Sequence, residues 1–197
     1  MTWTLHNLDS DTARSAFAVA AEYADAALLN HSVRSFAFGA EHARRHGLAY
    51  DAELLYVSAL LHDLGLTPPF DSHTLPFEEA GGHVARIFTA GLGWAPERRA
   101  RAQEVIVLHM RDDVTAAEDV ESHLLQVGTS ADVSGLRVDT FDPAFRAALL
   151  ERYPRLDFGP AFLALVEDQA VRKPACAAAA YVANGAARRI AANPLDA

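Results

Sequence analysis

The chain has 197 residues, 51% of them hydrophobic, and a formal net charge of −9 at pH 7. This composition suits a folded domain with a substantial core and excludes a disordered chain. The acidic balance also argues against nucleic acid as a partner, because phosphate backbones need cationic contacts, and it leaves a small molecule as the expected partner.

Helical periodicity recurs along the chain, whereas the alternation typical of strands is scarce. In chain order, the predicted helices start near residue 10, cover about 31–46 and 51–65, start again at 76, cover 96–109 and 120–133, and start at 143, 159 and 174. Capping side chains or proline stand at most starts, and glycine follows several ends. The sequence therefore predicts an all-α bundle.

The third predicted helix, DAELLYVSALLHDLG, is apolar on almost every side between Leu54 and Leu61. A helix that is apolar all round is expected at the centre of the bundle. It ends on His62 and Asp63, where a buried carboxylate needs a counter-charge, and a metal ion supplies one compactly. A core His–Asp pair without a metal is the alternative.

Two residues on other predicted helices offer the same chemistry. His31 follows Asn30, a predicted N-cap, and the positive end of the helix dipole there keeps an imidazole neutral, with a lone pair available. Asp132 lies in the small-residue stretch VGTSADVSG, where Gly128 allows another element to approach. A capping role near the helix end is the alternative for Asp132.

Two histidines and two aspartates on three helices form a ligand set for one divalent transition metal. Zinc is expected first, with iron or manganese as alternatives, and water would fill the remaining positions. Because a metal lowers the pKa of such water toward neutrality, the pattern predicts an enzyme that activates water. The predicted ligands are His31, His62, Asp63 and Asp132.

The order His…His-Asp…Asp resembles the HD-domain superfamily of metal-dependent hydrolases. Within it, the segments NHSVRSFAFG, ALLHDLGLT, PFEEAGG, VIVLHM and DVSG look like those of the cyanamide hydratase branch. They occur in the right order across about residues 30–136, which is the middle half of the chain. The flanks are described only by their helical pattern.

The resemblance implies a single HD-type domain over residues 1–197, with its core at about 30–136 and a C-terminal helical extension at about 140–193. It implies the same four metal ligands and the addition of water to the C≡N bond of cyanamide, which gives urea. An HD-type phosphohydrolase acting on a nucleotide or another phosphate ester is the alternative, and a non-catalytic HD protein is a third. Phosphate chemistry needs basic side chains, and the segments around the HD pair supply few.

Three more residues are predicted to assist catalysis, each with a purely structural alternative. Glu78, at a helix start, would accept a proton from water or orient the substrate, although the helix dipole lowers its pKa. His109, at the end of an apolar helix, would bind substrate or carry a proton. Arg34, one turn after His31, would orient a ligating aspartate. The expected apolar walls of the pocket are Phe38, Phe70 and Phe77.

A two-metal site is the competing arrangement, because His83 and His109 also lie between the HD pair and Asp132. The resemblance implies that a two-metal protein would carry its extra histidine about four residues before the glycine pair at 81 and 82. Phe77 occupies that place, so one metal per chain is favoured.

The cellular context is predicted from three features. The single cysteine, Cys176, excludes an internal disulfide and fits a reducing compartment. The N-terminal sequence MTWTLHNLDSDTAR lacks the pattern of a signal peptide, and no apolar run approaches the ~20 residues of a membrane span. We therefore expect a cytoplasmic protein without a membrane segment. Small residues in the C-terminal helices leave a homo-oligomer open.

Overall fold

The computed structural model describes residues 9–111 and 114–196. It confirms the all-α prediction, since these residues form ten α-helices and three 3₁₀ turns, with no strand among them. Most of the N-terminal sequence used to judge a signal peptide lies outside the described residues. The helices are α1 (Asp11–Tyr23), α2 (Ala26–His46), α3 (Ala52–Leu61), α4 (Phe77–Gly91), α5 (Pro96–Leu108), α6 (Val120–Ser134), α7 (Pro143–Arg152), α8 (Phe158–Arg172), α9 (Ala177–Ala183) and α10 (Ala186–Ala191). The 3₁₀ turns are Leu64–Leu66, Val138–Thr140 and Pro194–Asp196.

Helix α3 lies at the centre of the bundle, as its uniformly apolar sequence predicts. Seven of its ten residues are buried, and it packs against α1, α2, α4, α5 and α6. The helix ends at Leu61 and a 3₁₀ turn follows, so the predicted continuation to Gly65 is wrong. This ending places His62 and Asp63 in the interior, each 1% exposed.

Helices α2 and α6 pack with their backbones in close contact, which sets two of the predicted ligands beside each other. A Cβ atom on Gly128 would lie 2.0 Å from the carbonyl oxygen of Ser35, and one on Gly39 would lie 2.6 Å from that of Leu124. Only glycine fits at such an approach. The expectation that Gly128 admits another element is confirmed, and His31 of α2 thereby reaches Asp132 of α6.

The start of α2 differs from the prediction. Asp25 caps the helix by accepting a hydrogen bond from the backbone nitrogen of Leu28 at 2.8 Å, and the helix begins at Ala26. The predicted cap, Asn30, lies inside the helix and donates to the carbonyl oxygen of Pro154 at 2.9 Å. Because His31 therefore lies in the second turn, the predicted effect of the helix dipole on its imidazole does not apply.

Helix boundaries at proline and glycine are predicted more closely than the start of α2. Helices α5 and α7 begin at Pro96 and Pro143, and α6 ends before Gly135, whose φ of 68° is left-handed. Two predictions need correction. Pro76 is the N-cap of α4 instead of its first residue, and the last predicted helix divides into α9 and α10 at Gly185, which has a φ of 84°.

The C-terminal helices pack over the region that contains His62 and Asp63. Phe158, Phe162 and Ile190 join Leu28 and Val133 in one buried apolar cluster. This cluster connects α8 and α10 to α2 and α6, so the segment after residue 140 forms part of the surroundings of the site. Among the described residues, none of the helices combines the length and the apolar character needed to cross a bilayer.

Candidate metal centre

Three of the predicted ligands meet inside the bundle. The Nε2 atoms of His31 and His62 lie 3.4 and 3.2 Å from Oδ2 of Asp63. One ligand atom from each of the three residues lies within 4.8 Å of the others. Within residues 9–111 and 114–196, no other group of three His, Cys, Asp or Glu side chains meets this limit. His83, considered for a second metal, is exposed on α4.

Both imidazoles are held through Nδ1, which leaves Nε2 for the cluster. His62 Nδ1 donates to the carbonyl oxygen of Ala59 at 2.7 Å, and His31 Nδ1 donates to Oδ2 of Asp132 at 2.7 Å. A carbonyl and an ionised carboxylate only accept, so each neutral ring has its proton on Nδ1 and a lone pair on Nε2. Neither oxygen of Asp63 accepts a hydrogen bond from a described residue. Three electron-rich groups therefore converge with no proton between them.

This convergence fits a divalent metal ion. Two ligands at roughly 2.0–2.1 Å from a tetrahedral zinc are about 3.3–3.4 Å apart, and the observed separations are 3.4 and 3.2 Å. Imidazole nitrogen and carboxylate oxygen are also ligands that zinc and its neighbours accept. A buried carboxylate without a counter-charge is costly, so a cation stabilises the cluster.

The charges around the cluster attract a cation as well. Burial lowers the pKa of His31, but the hydrogen bond to Asp132 and the nearby Asp63 outweigh burial and place that pKa above its ordinary value. Burial raises the pKa of Asp63, yet the facing imidazoles His62 and His31 hold it well below its usual range. The two carboxylates thus remain ionised and draw positive charge to the site.

Asp132, predicted as the fourth ligand, does not join this cluster. Its carboxylate contacts Nδ1 of His31, the ring nitrogen that does not face Asp63. Arg34 donates to Oδ1 from Nε at 2.6 Å and to Oδ2 from Nη2 at 2.8 Å, and Arg155 donates to Oδ1 at 3.2 Å. A carboxylate offers about four acceptor positions, and these contacts fill them. In this geometry Asp132 contacts His31 on the side away from Asp63, and its role as a fourth ligand stays a prediction.

Residues from the C-terminal part reinforce Asp132. Arg155 Nη1 and Asn193 Nδ2 donate to its backbone carbonyl oxygen at 2.6 and 2.7 Å. Arg155 also pairs with Asp196, and Arg34 is completely buried. Burial raises the pKa of Asp132, but Arg34 and His31 hold it far below its ordinary value. The predicted role of Arg34, the orientation of an aspartate, corresponds to this contact.

His109 approaches the cluster from the end of α5. Its ring centroid lies 4.9 Å from that of His62, and its Nδ1 donates to the carbonyl oxygen of Ile106. The lone pair of Nε2 is therefore available. Burial, assisted by the electrostatic effect of the neighbouring His62 imidazole, lowers the pKa of His109 to about 3. The ring is neutral near pH 7, so its Nε2 can accept a hydrogen bond.

Glu78 lies apart from the cavity described below. It stands in the first turn of α4, is 6% exposed, and its Oε2 accepts no hydrogen bond from a described residue. Burial raises the pKa of Glu78, and the charges of Glu79 and Asp63 add to the effect. The lowering expected from the helix dipole is therefore wrong. Glu78 does not line the cavity, and its catalytic role stays a prediction.

A cavity of about 70 Å³ opens beside the three clustered residues and His109. This volume is far below the roughly 300–1,000 Å³ of pockets that hold drug-sized ligands. None of the described lining residues is a lysine or an arginine. The cavity therefore suits a small uncharged molecule. Its other lining residues are Met110, Thr129, Ser130, Val133, Ser134, Phe162 and Tyr181.

The predicted aromatic walls lie elsewhere. Phe38 packs on Phe141 at 4.9 Å between ring centroids, Phe70 packs on Tyr23 at 4.8 Å, and Phe77 is buried in the core. The cavity is instead bordered by aromatic residues of α8 and α9, which lie more than 90 residues from the HD pair. No motif in the sequence marked the residues that were missed, which are Arg155, Phe158, Phe162, Tyr181 and Asn193.

Comparisons with known proteins agree with this geometry. The profile of the HD domain family matches residues 28–136, a region that contains the clustered residues and excludes helices α7 to α10. The chain is 32% identical over 171 residues to cyanamide hydratase DDI2 of Saccharomyces cerevisiae, with 84% of this chain and 76% of that protein covered. Cyanamide hydratase DDI3 of the same yeast is similar to the same extent.

Proposed function

The chain belongs to the HD domain family and is a metal-dependent hydratase or hydrolase, and from this premise we propose that it adds water to the carbon–nitrogen triple bond of cyanamide to form urea. The observation that carries this proposal is the 70 Å³ cavity beside the cluster, lined without lysine or arginine among the described residues. The similarity to two yeast cyanamide hydratases supports the choice of cyanamide within the class of small uncharged substrates.

His31, His62 and Asp63 would hold one metal ion, for which zinc is our proposal. Two imidazole nitrogens and one carboxylate oxygen resemble the three protein ligands of catalytic zinc sites, which leave a position for water. Bound there, a divalent ion supplies a Lewis acid that makes water more acidic. We assign Asp132 to the orientation of His31, because its acceptor positions are filled by Arg34, Arg155 and His31.

In hydration of cyanamide, the water oxygen bonds to the cyano carbon and one water proton moves to the cyano nitrogen. The second proton moves to that nitrogen as the C=O bond of urea forms, so all atoms of the water stay in the product. His109 would accept a hydrogen bond from the attacking water at Nε2. The hydroxyl groups of α6 that line the cavity are placed to bond the substrate nitrogens. Glu78 is assigned an electrostatic role, since it does not line the cavity.

The cavity also separates this proposal from phosphohydrolysis. Phosphoryl transfer develops negative charge that lysine, arginine or several metal ions must stabilise. Arg34, one turn after His31, is fully buried and bonded to Asp132. A nucleotide is also far larger than a cavity of about 70 Å³. These features favour a small neutral substrate.

We propose further that the enzyme acts in the cytoplasm on a small molecule. The single cysteine, Cys176, is buried and fits a reducing compartment. The net charge of −9 disfavours polyanionic partners.

The deciding experiment measures urea released from cyanamide by zinc-loaded protein and phosphate released from a panel of nucleotides. Urea formation that disappears on metal removal and returns with zinc is expected, with no phosphate release. His62→Ala serves as the metal-site control and is expected to give no urea. Phosphate release, or no urea from zinc-loaded protein, would contradict the proposal.

A further inference from the structure

We propose that Phe162 and Tyr181 set the size limit of the substrate cavity, so that unsubstituted cyano compounds enter and N-substituted ones are rejected. The inference rests on the proposed function and extends it to residues beyond the family match at 28–136. Phe162 belongs to α8 and Tyr181 to α9, and both line the cavity. The C-terminal extension would thus share one domain with the metal site and determine its selectivity.

Phe162 is a fixed part of the wall. Its ring is 6% exposed and lies 5.2 Å from that of Phe158 and 5.9 Å from that of His31, measured between centroids. Phe158 in turn stacks on His31 at 4.3 Å with an angle of 13° between the rings. Displacement of Phe162 would disturb this aromatic packing against a clustered residue. The distance between this wall and the metal site is therefore set by the packing of α8.

Tyr181 is the second aromatic residue of the C-terminal helices that lines the cavity. It is half-buried and packs against the apolar cluster of Phe158, Phe162 and Val166. The guanidinium of Arg189 lies 4.9 Å from its ring centroid, a distance typical of a cation–π contact. Arg189 also donates to the carbonyl oxygen of Asn184 at 2.6 Å. These contacts hold the Tyr181 ring at the edge of the cavity.

Another part of the cavity wall is also fixed in place. It is formed by α6, whose Gly128 lies against the backbone of α2 and leaves no room for even one added carbon. Size discrimination therefore falls on Phe162 and Tyr181. An apolar pocket distinguishes substrates by about 10–200-fold for each methylene group, so the two methyl groups of N,N-dimethylcyanamide should be rejected strongly.

The test compares cyanamide with N,N-dimethylcyanamide, which takes up one water to give N,N-dimethylurea. In Tyr181→Ala, the ratio of kcat/KM for the dimethyl compound to kcat/KM for cyanamide should rise by at least about 10-fold. Tyr181→Phe keeps the ring and should retain the wild-type ratio, and Phe162→Leu, which preserves apolar packing, should raise it. Tyr50→Ala is the matched control, because Tyr50 is a half-buried tyrosine that does not line the cavity.

A second measurement does not depend on turnover. EDTA should remove zinc from the loaded Tyr181→Ala protein several-fold faster than from wild type, Tyr181→Phe or Tyr50→Ala, because the wall that shields the site is lost. If wild type forms no urea, the proposed function fails while this measurement still decides the role of the wall. Equal zinc-release rates in Tyr181→Ala and wild type would overturn the inference. A Tyr181→Phe protein that behaves like Tyr181→Ala would also overturn it, since the hydroxyl would then be responsible.

Discussion

Asp63 and Asp132 lie on opposite sides of His31, and the protein surrounds these two buried carboxylates in opposite ways. The oxygens of Asp63 accept no hydrogen bond from a described residue and face two imidazole nitrogens. The oxygens of Asp132 accept four hydrogen bonds from Arg34, Arg155 and His31. Burial of a carboxylate is therefore not enough to identify a metal ligand, because the number of lone pairs left free decides what it can bind.

The surroundings of Asp63 and Asp132 also come from different parts of the sequence. The three clustered residues lie within the family match at 28–136. The Asp132 side is completed by Arg155 and Asn193, which lie outside that match. The proposed ligands thus lie within the HD core, while the C-terminal segment supplies contacts to the neighbouring Asp132.

The largest expected effect is the loss of activity in Asp63→Asn. An amide is a weaker, uncharged ligand, so cyanamide hydration should fall by more than the roughly 10–100-fold typical of residues that only support a ligand. Initial rates of urea formation measure this, with far-UV circular dichroism to check the fold. Asp168→Asn, an exposed change on α8, is the control. Activity within 10-fold of wild type would show that Asp63 is not a ligand.

A large effect on stability is expected on the other side of His31. Asp132→Ala leaves the buried guanidinium of Arg34 without its carboxylate and removes one of the two carboxylates that Arg155 contacts. The free energy of unfolding of metal-free protein should therefore fall by about 3–5 kcal/mol. Asp63→Ala should have a smaller effect in the same state, because no hydrogen bond is lost. Guanidinium chloride titrations measure both. Equal losses of unfolding free energy in Asp132→Ala and Asp63→Ala would contradict the distinction between the two carboxylates.

A smaller effect is expected for Asn193→Ala. The change removes one hydrogen bond to the carbonyl oxygen of Asp132, which keeps its bond from Arg155. A loss of about 0.5–1.5 kcal/mol in unfolding free energy is expected, with a fall in zinc affinity of less than 10-fold. Asn184→Ala, at an exposed helix end, is the matched control. If Asn193→Ala lost as much unfolding free energy as Asp132→Ala, the bond from Asn193 would matter as much as the whole Asp132 carboxylate. That result would contradict the expected order of effects.

The smallest effect concerns pH and lies away from the metal site. Burial, together with nearby positive charge, lowers the pKa of His42 to about 4, against about 6.5 in an unfolded chain. Between these values the unfolded chain binds a proton that the folded chain does not, so stability falls as the pH decreases from about 6.5 toward 4. His42→Gln should flatten this slope, and an unchanged slope would contradict the assignment. The neighbouring positive groups are His46, His123, Arg45 and Arg137.

Local patterns predicted much of the fold and the centre of the site. The uniformly apolar α3 predicted that His62 and Asp63 are buried, and Pro96 and Gly135 predicted helix boundaries because their backbone restrictions act locally. The predicted start of α2 was wrong because Asp25 and Asn30 are both good N-caps. The residues between them also fit a helix. Local preference could not choose between them.

The remaining parts of the site depend on contacts between distant segments. Asp63 and Asp132 look alike in sequence, each in an apolar or small-residue stretch, and only Arg34 and Arg155 in three dimensions distinguish their roles. Arg155 lies 23 residues from Asp132, in a loop with no recognisable pattern. Tyr181 lies in an alanine-rich segment whose packing cannot be inferred from helical periodicity.

The most direct test of the account measures zinc binding to wild type, Asp63→Asn and Asp132→Asn side by side, by competition with a chromophoric chelator. We predict one zinc per wild-type chain, a fall in affinity of roughly 10–100-fold in Asp132→Asn, and a larger fall in Asp63→Asn. An Asp132→Asn protein that loses zinc as completely as Asp63→Asn would contradict the account, because Asp132 would then bind the metal itself.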